Sequence, residues 1–353
     1  MKFLLAQINP VVGDLEGNAK KILNIASKAS SISADFVLTP ELSLWGYPAN
    51  DLLFKKNLIN NQYQILDQLA FDINKKYGNL SISIGIAEII NDSFFPNLYN
   101  SIALVEGGEW KIIARKIILP TYEVFDEKRY FRSEEKVSVL IKQIKNKTWR
   151  LGFTICEDLW VNKNIEGRGI HKKNPIFDLK KKKVDILVNL SASPYTLKKL
   201  ELRSKVSSFA AQYLQVPLIY VNQIGANDNL IFDGNSFILD KNGSKIKQLK
   251  SFSEDLSSWE IEQTKPEKNK FENSEMSSIF DALVLGVKDY AKKCGFKTAL
   301  VGLSGGIDSA LVSAIATAAL GSNNVYCVSM PSKWSSSHSK SDAKDLARRL
   351  KIS

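Results

Sequence analysis

The chain has 353 residues, 44% of them hydrophobic and 24% charged, the balance of a folded protein with room for two domains. Its net charge of +11 favours anionic ligands, yet the lysines are scattered, and no Arg-rich stripe, RRM-like aromatic pattern or zinc-finger spacing supports a nucleic-acid-binding module. Cys156, Cys294 and Cys327 make neither a disulfide framework nor a zinc site, no window of about 18 apolar residues spans a membrane, and MKFLLAQINPVVGD lacks a signal peptide's apolar region; a cytoplasmic protein with no nucleic-acid or membrane partner is expected.

In chain order, residues 2–8 read as a short apolar strand. Residues 18–33 place Ile22, Leu23, Ile25 and Ala26 at helical spacing. ADFVL (34–38) is a second strand, ending at TPELS. A helix over 60–76 and a strand over 80–89 follow, then a hairpin over 98–119 that turns at Glu106, Gly107, Gly108 and Glu109. Residues 150–155 form a strand leading into Cys156, residues 184–193 another, with a helix over 198–213. VPLIYVNQ and FDGNSFILDKNGSKI complete a layered α/β arrangement with a mixed sheet. Residues 251–275 are polar and read as a connecting segment. Beyond them come a helix carrying Ile279, Leu283, Leu285, Val287 and Tyr290, the strand TALVGL, a glycine turn, a helix, a second strand and the start of another helix. One β-α-β element is small for an independent nucleotide domain, so this second unit reads as incomplete.

Two stretches carry chemistry. SGGIDS (304–309) joins a strand to a helix, so backbone N–H groups and the helix dipole converge where a phosphate could sit. Ser304 and Ser309 can donate hydroxyls, and Asp308 can hold a Mg²⁺ that bridges phosphates. The loop matches neither GxxxxGK[ST] nor GxGxxG, and the plainer reading is a capped, glycine-rich helix start. The other stretch is GFTICEDLW (152–160). A lone cysteine among apolar residues is more often core than catalytic. Cys156, however, ends a strand and precedes two acids, Glu157 and Asp158, which are awkward to bury. Neither histidine of the chain, His171 or His338, has a setting that marks it as a base. Glu41, in LTPELSLWGY, can serve as the base instead, or merely as an acid at a helix start. Lys116, in ARKIILPTYEVFDEKRYF, can favour a thiolate and steady an oxyanion, or merely guard a strand edge.

GLSGGIDSALV resembles the pyrophosphate loop of the N-type ATP pyrophosphatases, and MPSKWSSSHSKSDAKDLARRL narrows the resemblance to the NAD synthetases. Glu41, Lys116 and Cys156, in that order, resemble the nitrilase superfamily of carbon–nitrogen hydrolases. TPELSLWGYPANDLL, KIILPTYEVFDEKRYF, GFTICEDLW, NLSASPYTLKKLELR and YVNQIGANDNLIFDGNS resemble its branch of glutaminases attached to NAD synthetases. The resemblance implies an α/β protein: a nitrilase-like α-β-β-α sandwich over 1–250, a linker over 251–275, and over 276–353 the first part of a Rossmann-like adenine nucleotide alpha hydrolase domain, apparently cut short. It implies Glu41 as general base, Lys116 as oxyanion-stabilising lysine and Cys156 as nucleophile. Tyr122, Ser193 and Lys199 would hold glutamine, and Glu157 would orient Lys116 or close the pocket. Gly302, Leu303, Ser304, Gly305, Gly306, Ile307, Asp308 and Ser309 would bind ATP. Lys198 stands where the family usually has Gly, and Trp334 where it usually has Tyr. The implied reaction is ATP-dependent amidation of deamido-NAD to NAD with ammonia from L-glutamine, using Mg²⁺ and no bound organic cofactor. An enclosed ammonia route and a homo-oligomer are implied too. The alternative is a stand-alone nitrilase-type amidase.

Overall fold

The computed structural model describes residues 1–92, 94–144, 146–161, 173–263, 274–334 and 336–353. His171 and residues 264–273 of the expected linker lie outside these. The described chain divides into two units, residues 1–224 with 232–263, and residues 225–231 with 274–353.

In the first unit, two β-α-β runs build two sheets. The first run is β1 (Lys2–Gln7), α1 (Leu15–Ser31), β2 (Phe36–Leu38), α2 (Lys56–Tyr77) and β3 (Ser81–Ile89). The hairpin β4 (Leu98–Glu106) and β5 (Glu109–Arg115) extends its sheet, turning where the two glycines predict. The second run follows β6 (Ser138–Ile144): β7 (Lys147–Ile155), α3 (Pro175–Lys181), β8 (Ile186–Ser191), α4 (Lys199–Leu214) and β9 (Leu218–Asn222). The short strands β10 (Ile224–Asn227) and β11 (Leu230–Asp233) pair with each other, and their residues 225–231 group with the second unit. β12 (Phe237–Leu239), β13 (Lys245–Gln248) and β14 (Asp255–Glu260) complete the strands of this unit. The sheet orders are β14-β1-β2-β3-β4-β5 and β13-β12-β9-β8-β7-β6. Each has three parallel central strands, β1-β2-β3 and β7-β8-β9, with antiparallel flanks, so both sheets are mixed.

Side chains alternate across a strand, and the apolar faces of the two sheets meet in one core. Phe3, Phe36 and Leu38 of the first sheet share it with Phe153, Ile155, Val188 and Val221 of the second. Helices α3 and α4 cover the outer face of the second sheet through Ile176, Leu179, Val206 and Leu214. Helices α1 and α2 bury their own apolar stripes, among them Ile22, Ile25, Leu66 and Ile73. The result is the expected α-β-β-α sandwich. α1 starts three residues earlier than its apolar spacing suggests, because Asp14 caps it by accepting from the Gly17 N–H at 2.9 Å.

The expected linker over 251–275 requires correction. Its residues 255–260 are β14, antiparallel to β1 from Lys2↔Glu260 to Gln7↔Asp255. Trp259 is buried and stacks on Phe3 with ring centroids 6.0 Å apart. The segment reads as polar because an edge strand buries few of its side chains. Strands β6, β10 and β11 were likewise not legible as separate elements.

The second unit contains α5 (Glu275–Cys294), β15 (Ala299–Gly302), α6 (Ile307–Leu320), β16 (Val325–Val328) and α7 (Ser337–Leu350). β15 and β16 are parallel, and Ala316, Val325 and Ile352 centre a small core. This is one turn of a Rossmann-like alternation, as expected. No helix among the described residues is long and apolar enough to cross a membrane.

Gly85 on β3 lets the chain after β2 approach the sheet. A Cβ there would lie 2.2 Å from the Leu42 N and 2.7 Å from the Pro40 carbonyl oxygen. The Gly85 N–H donates to Ser43 Oγ at 2.9 Å, and its carbonyl accepts from the Leu44 N–H at 3.1 Å. Gly85→Ala must therefore push backbone against backbone on both sides of Glu41. It is expected to cost about 1–3 kcal/mol of stability, read as a lowered urea midpoint; an unchanged midpoint would show that the 40–44 turn yields freely.

Candidate active site

Three strand ends deliver the three expected residues. Glu41 lies three residues after β2, Lys116 directly after β5 and Cys156 directly after β7. These are the carboxyl ends of strands, where α/β sheets place their chemistry. All three side chains are buried.

The Lys116 Nζ donates to Glu41 Oε1 at 2.7 Å and to Glu127 Oε1 at 2.7 Å. Glu41 Oε1 also accepts from Asn100 Nδ2 at 2.7 Å, and its Oε2 accepts from the Ala192 backbone N–H at 2.9 Å. Ala192 follows β8, so one carboxylate ties the first sheet to the second. The Tyr47 hydroxyl donates to Glu127 Oε1 at 2.9 Å. Burial opposes the Lys116 charge, but Glu127 and Glu41 outweigh it and hold the ammonium well above the ordinary lysine value. Burial pushes the Glu127 carboxyl up to about 7, with Glu41 adding to the push and Lys116 pulling the other way. Glu127 Oε2 and Asn100 Oδ1 are buried with no hydrogen-bond partner among the described residues.

Cys156 opens a short 3₁₀ turn, Cys156–Leu159, with φ of +44°. A non-glycine residue in that region is strained and needs its surroundings to hold it. Asp158 does so: its Oδ2 accepts from the Ile155 N–H at 3.0 Å, and its Oδ1 from the Ile117 and Ile118 N–H groups at 3.1 and 2.8 Å. One carboxylate thus ties the cysteine turn to the lysine strand, and burial raises its own pKa to about 6. Burial, then Glu41, push the Cys156 thiol well above its ordinary value against the pull of Lys116. The ammonium therefore serves the carboxylates first, and the resting sulfur is a thiol. Lys116 does favour the thiolate, as expected, but burial and Glu41 outweigh it.

The Tyr122 hydroxyl lies 2.9 Å from both oxygens of Glu157. The acids on the lysine are Glu41 and Glu127, while Glu157 faces Tyr122. Ser193 is buried, its N–H bonded to Asn222 Oδ1 at 2.9 Å. Lys199 opens α4, with its Nζ 5.0 Å from the Trp160 ring centroid. Lys198 adopts φ +62°, ψ 5°, a left-handed geometry that glycine meets without strain. Glu127, Asn100, Tyr47 and Asp158 were not singled out from the sequence. Glu127 lies inside the KIILPTYEVFDEKRYF stretch, but nothing local distinguishes it there from Glu123 and Asp126.

In the second unit the glycine turn leads into α6, whose N-cap, Gly306, offers no side chain. Ser304 Oγ accepts from the Gly306 N–H at 3.2 Å and lies 3.1 Å from Ser309 Oγ. Gly305 has φ +86°, and a Cβ there would lie 2.1 Å from the Ser339 carbonyl oxygen of α7. Gly302, Ser304, Gly306, Ile307 and Asp308 are exposed, Gly305 and Ser309 half-buried, and Leu303 is the buried anchor of the turn. Among the described residues no three His, Cys, Asp or Glu side chains converge on a metal-sized site. Asp308 is one exposed carboxylate, so Mg²⁺ fits here only with phosphate oxygens completing its shell.

A family model of carbon–nitrogen hydrolases matches residues 5–265, and one of NAD synthases matches residues 279–353. The glutamine-dependent NAD(+) synthetase of Synechocystis is 43% identical over 98% of this chain and 62% of its own length. That of Acinetobacter baylyi is 35% identical over 99% and 61%. The chain thus spans about three fifths of the length of the curated relatives it matches. The structure of a glutamine-dependent NAD+ synthetase from Acinetobacter baumannii, in complex with adenosine diphosphate, superposes with a TM-score of 0.87 at 34% identity, covering 100% of this chain and 63% of that one. An amidase from Nesterenkonia shares the fold at 19% identity and a TM-score of 0.59, over 73% of this chain and 89% of its own.

Glu127 supplies a pH test of the buried cluster. Its folded pKa of about 7 exceeds the ordinary carboxyl value of about 4.3. A raised carboxyl contributes stability that is full below the unfolded value and lost as pH rises through the folded one. The melting temperature of Glu127→Gln, relative to wild type, is therefore expected to improve from pH 5 to pH 8. A pH-independent difference would mean that Glu127 titrates alike in the folded and unfolded chains.

Proposed function

Because the chain belongs to the carbon–nitrogen hydrolase family, we propose that its first unit is a cysteine glutaminase feeding ammonia to an ATP-dependent NAD synthetase. The observation that carries the reading is the convergence of Glu41, Lys116 and Cys156, from three strand ends, in one buried cluster. With the thiol protonated at rest, attack and deprotonation are coupled. The Cys156 Sγ adds to the side-chain amide carbon of glutamine as Glu41 takes the thiol proton. The oxyanion gathers next to the Lys116 ammonium, where one such donor is typically worth ~10²–10³ in rate. Glu127 keeps that ammonium in place from the other side. The C–N bond then breaks, Glu41 returns its proton to the leaving nitrogen, and ammonia departs. Glu41 next takes a proton from water, whose oxygen adds to the thioester and releases glutamate and the free thiol. Tyr122, Ser193 and Lys199 hold the amino-acid end of the substrate, with Tyr122 and Glu157 closing one wall.

The second unit supplies the phosphate end of an ATP site. The open turn before α6, lined by Ser304 and Ser309, suits the β- and γ-phosphates, and the relatives' names suggest deamido-NAD as the acceptor of ammonia. ATP would activate its carboxylate as an acyl adenylate, releasing pyrophosphate, and ammonia would displace AMP. A bound Mg²⁺ would neutralise phosphate charge beside Asp308. A cytoplasmic homo-oligomer is part of this reading, and the three free cysteines suit a reducing compartment.

Glutamate release from glutamine tests the first unit. Cys156→Ala is expected to lower it by at least about 10⁴-fold while ATP binding to the second unit is unchanged. Release that survives the substitution would sink the nucleophile assignment. AMP formation that ignores deamido-NAD but responds to another carboxylate would sink the acceptor.

A further inference from the structure

We propose that Arg203 is a positioning residue for the α-amino-acid end of glutamine, a clamp that fixes how Ser193 and Lys199 face the substrate. The inference rests on the glutaminase reading above. Arg203 lies on α4 one turn beyond Lys199 and is 1% exposed. Its Nη2 donates to the Ser193 carbonyl at 2.9 Å, the Pro194 carbonyl at 3.1 Å and Asp233 Oδ1 at 2.7 Å. Its Nη1 donates to Asp233 Oδ2 at 3.0 Å and its Nε to Ser193 Oγ at 3.1 Å. Asn235 Nδ2 donates to Asp233 Oδ2 at 2.7 Å and holds that carboxylate in turn.

A buried ion pair is a poor device for stability alone, since apolar residues of similar volume often serve as well. What this pair grips is more telling. α4 begins at Lys199 behind a left-handed Lys198 and with no side-chain cap. The buried Lys199 side chain packs against Trp160, its Nζ 5.0 Å from the ring centroid, but no side-chain cap ties down the backbone at the helix start. Arg203 reaches back across that gap and ties the helix to the 193–194 turn. By donating to Ser193 Oγ it occupies an acceptor position and leaves the hydroxyl its own proton to give. Ser193 is thereby set as a donor, which together with an ammonium from the helix that Arg203 ties down would suit a carboxylate. The planar fork makes all these contacts at once; a lysine cannot.

The test is steady-state glutamate release by wild type, Arg203→Lys and Asp233→Asn. It is run beside the rate at which iodoacetamide, which has no α-amino-acid end, alkylates Cys156. The expected result is a rise in the KM for glutamine of about 10-fold or more with kcat within about threefold and an unchanged alkylation rate. Lysine at position 203 is not expected to restore the wild-type KM. An unchanged KM would overturn the clamp, as would kcat and alkylation falling together, the signature of a general structural loss. If Arg203→Lys does not fold, Asp233→Asn decides by the same criteria, since it keeps the guanidinium but removes the charged anchor that aims it at the 193–194 turn. A wild type that releases no glutamate sinks the glutaminase reading and the clamp with it; wild-type turnover with an unmoved KM sinks the clamp alone.

Discussion

Lys116 carries its charge into the interior of the first unit, where an unpaired ammonium would cost several kcal/mol. Glu41 and Glu127 meet it on two sides, each at 2.7 Å. Burial, with Glu41 adding to it, lifts Glu127 to about 7 against the pull of Lys116. Burial and then Glu41 likewise raise the thiol of Cys156, and Lys116 only partly offsets them. A protonated thiol is a weaker nucleophile and less readily oxidised than a thiolate.

That cluster exists only because two sheets close on each other. Glu41, Asn100 and Lys116 come from the first sheet or its edges, whereas Cys156 and the Ala192 N–H come from the second. The leucine- and isoleucine-rich interface between the sheets sets their spacing, and polar links join the strand ends. Asp158 repeats the device, joining the cysteine turn to the lysine strand. The candidate site is therefore a product of sandwich packing, with Glu41 and Lys116 each held by groups distant in sequence.

Legibility followed the range of the interactions. α1, α2, α4 and the β4–β5 hairpin announce themselves through spacing and turn residues, which act over a few positions. The edge strand β14 did not, because its partner β1 lies some 250 residues earlier and its own face is half-polar. Among the site residues, Glu41, Lys116, Cys156 and the SGGIDS turn stood out through their apolar or glycine-rich surroundings. Glu127 and Asn100 had no such frame, and Asp158, though noted beside the cysteine, gains its role only from its backbone partners.

The sequence by itself determined the α/β class and the strand-end placement of the cysteine, because these depend on local pattern and on residue identity. Tertiary structure alone decided which acid faces which base. The partners of Lys116 lie 75 residues before it and 11 after it, and Arg203 finds Asp233 30 residues on. Such pairings are set by how sheets stack and where strands end, and no short window of sequence contains both members.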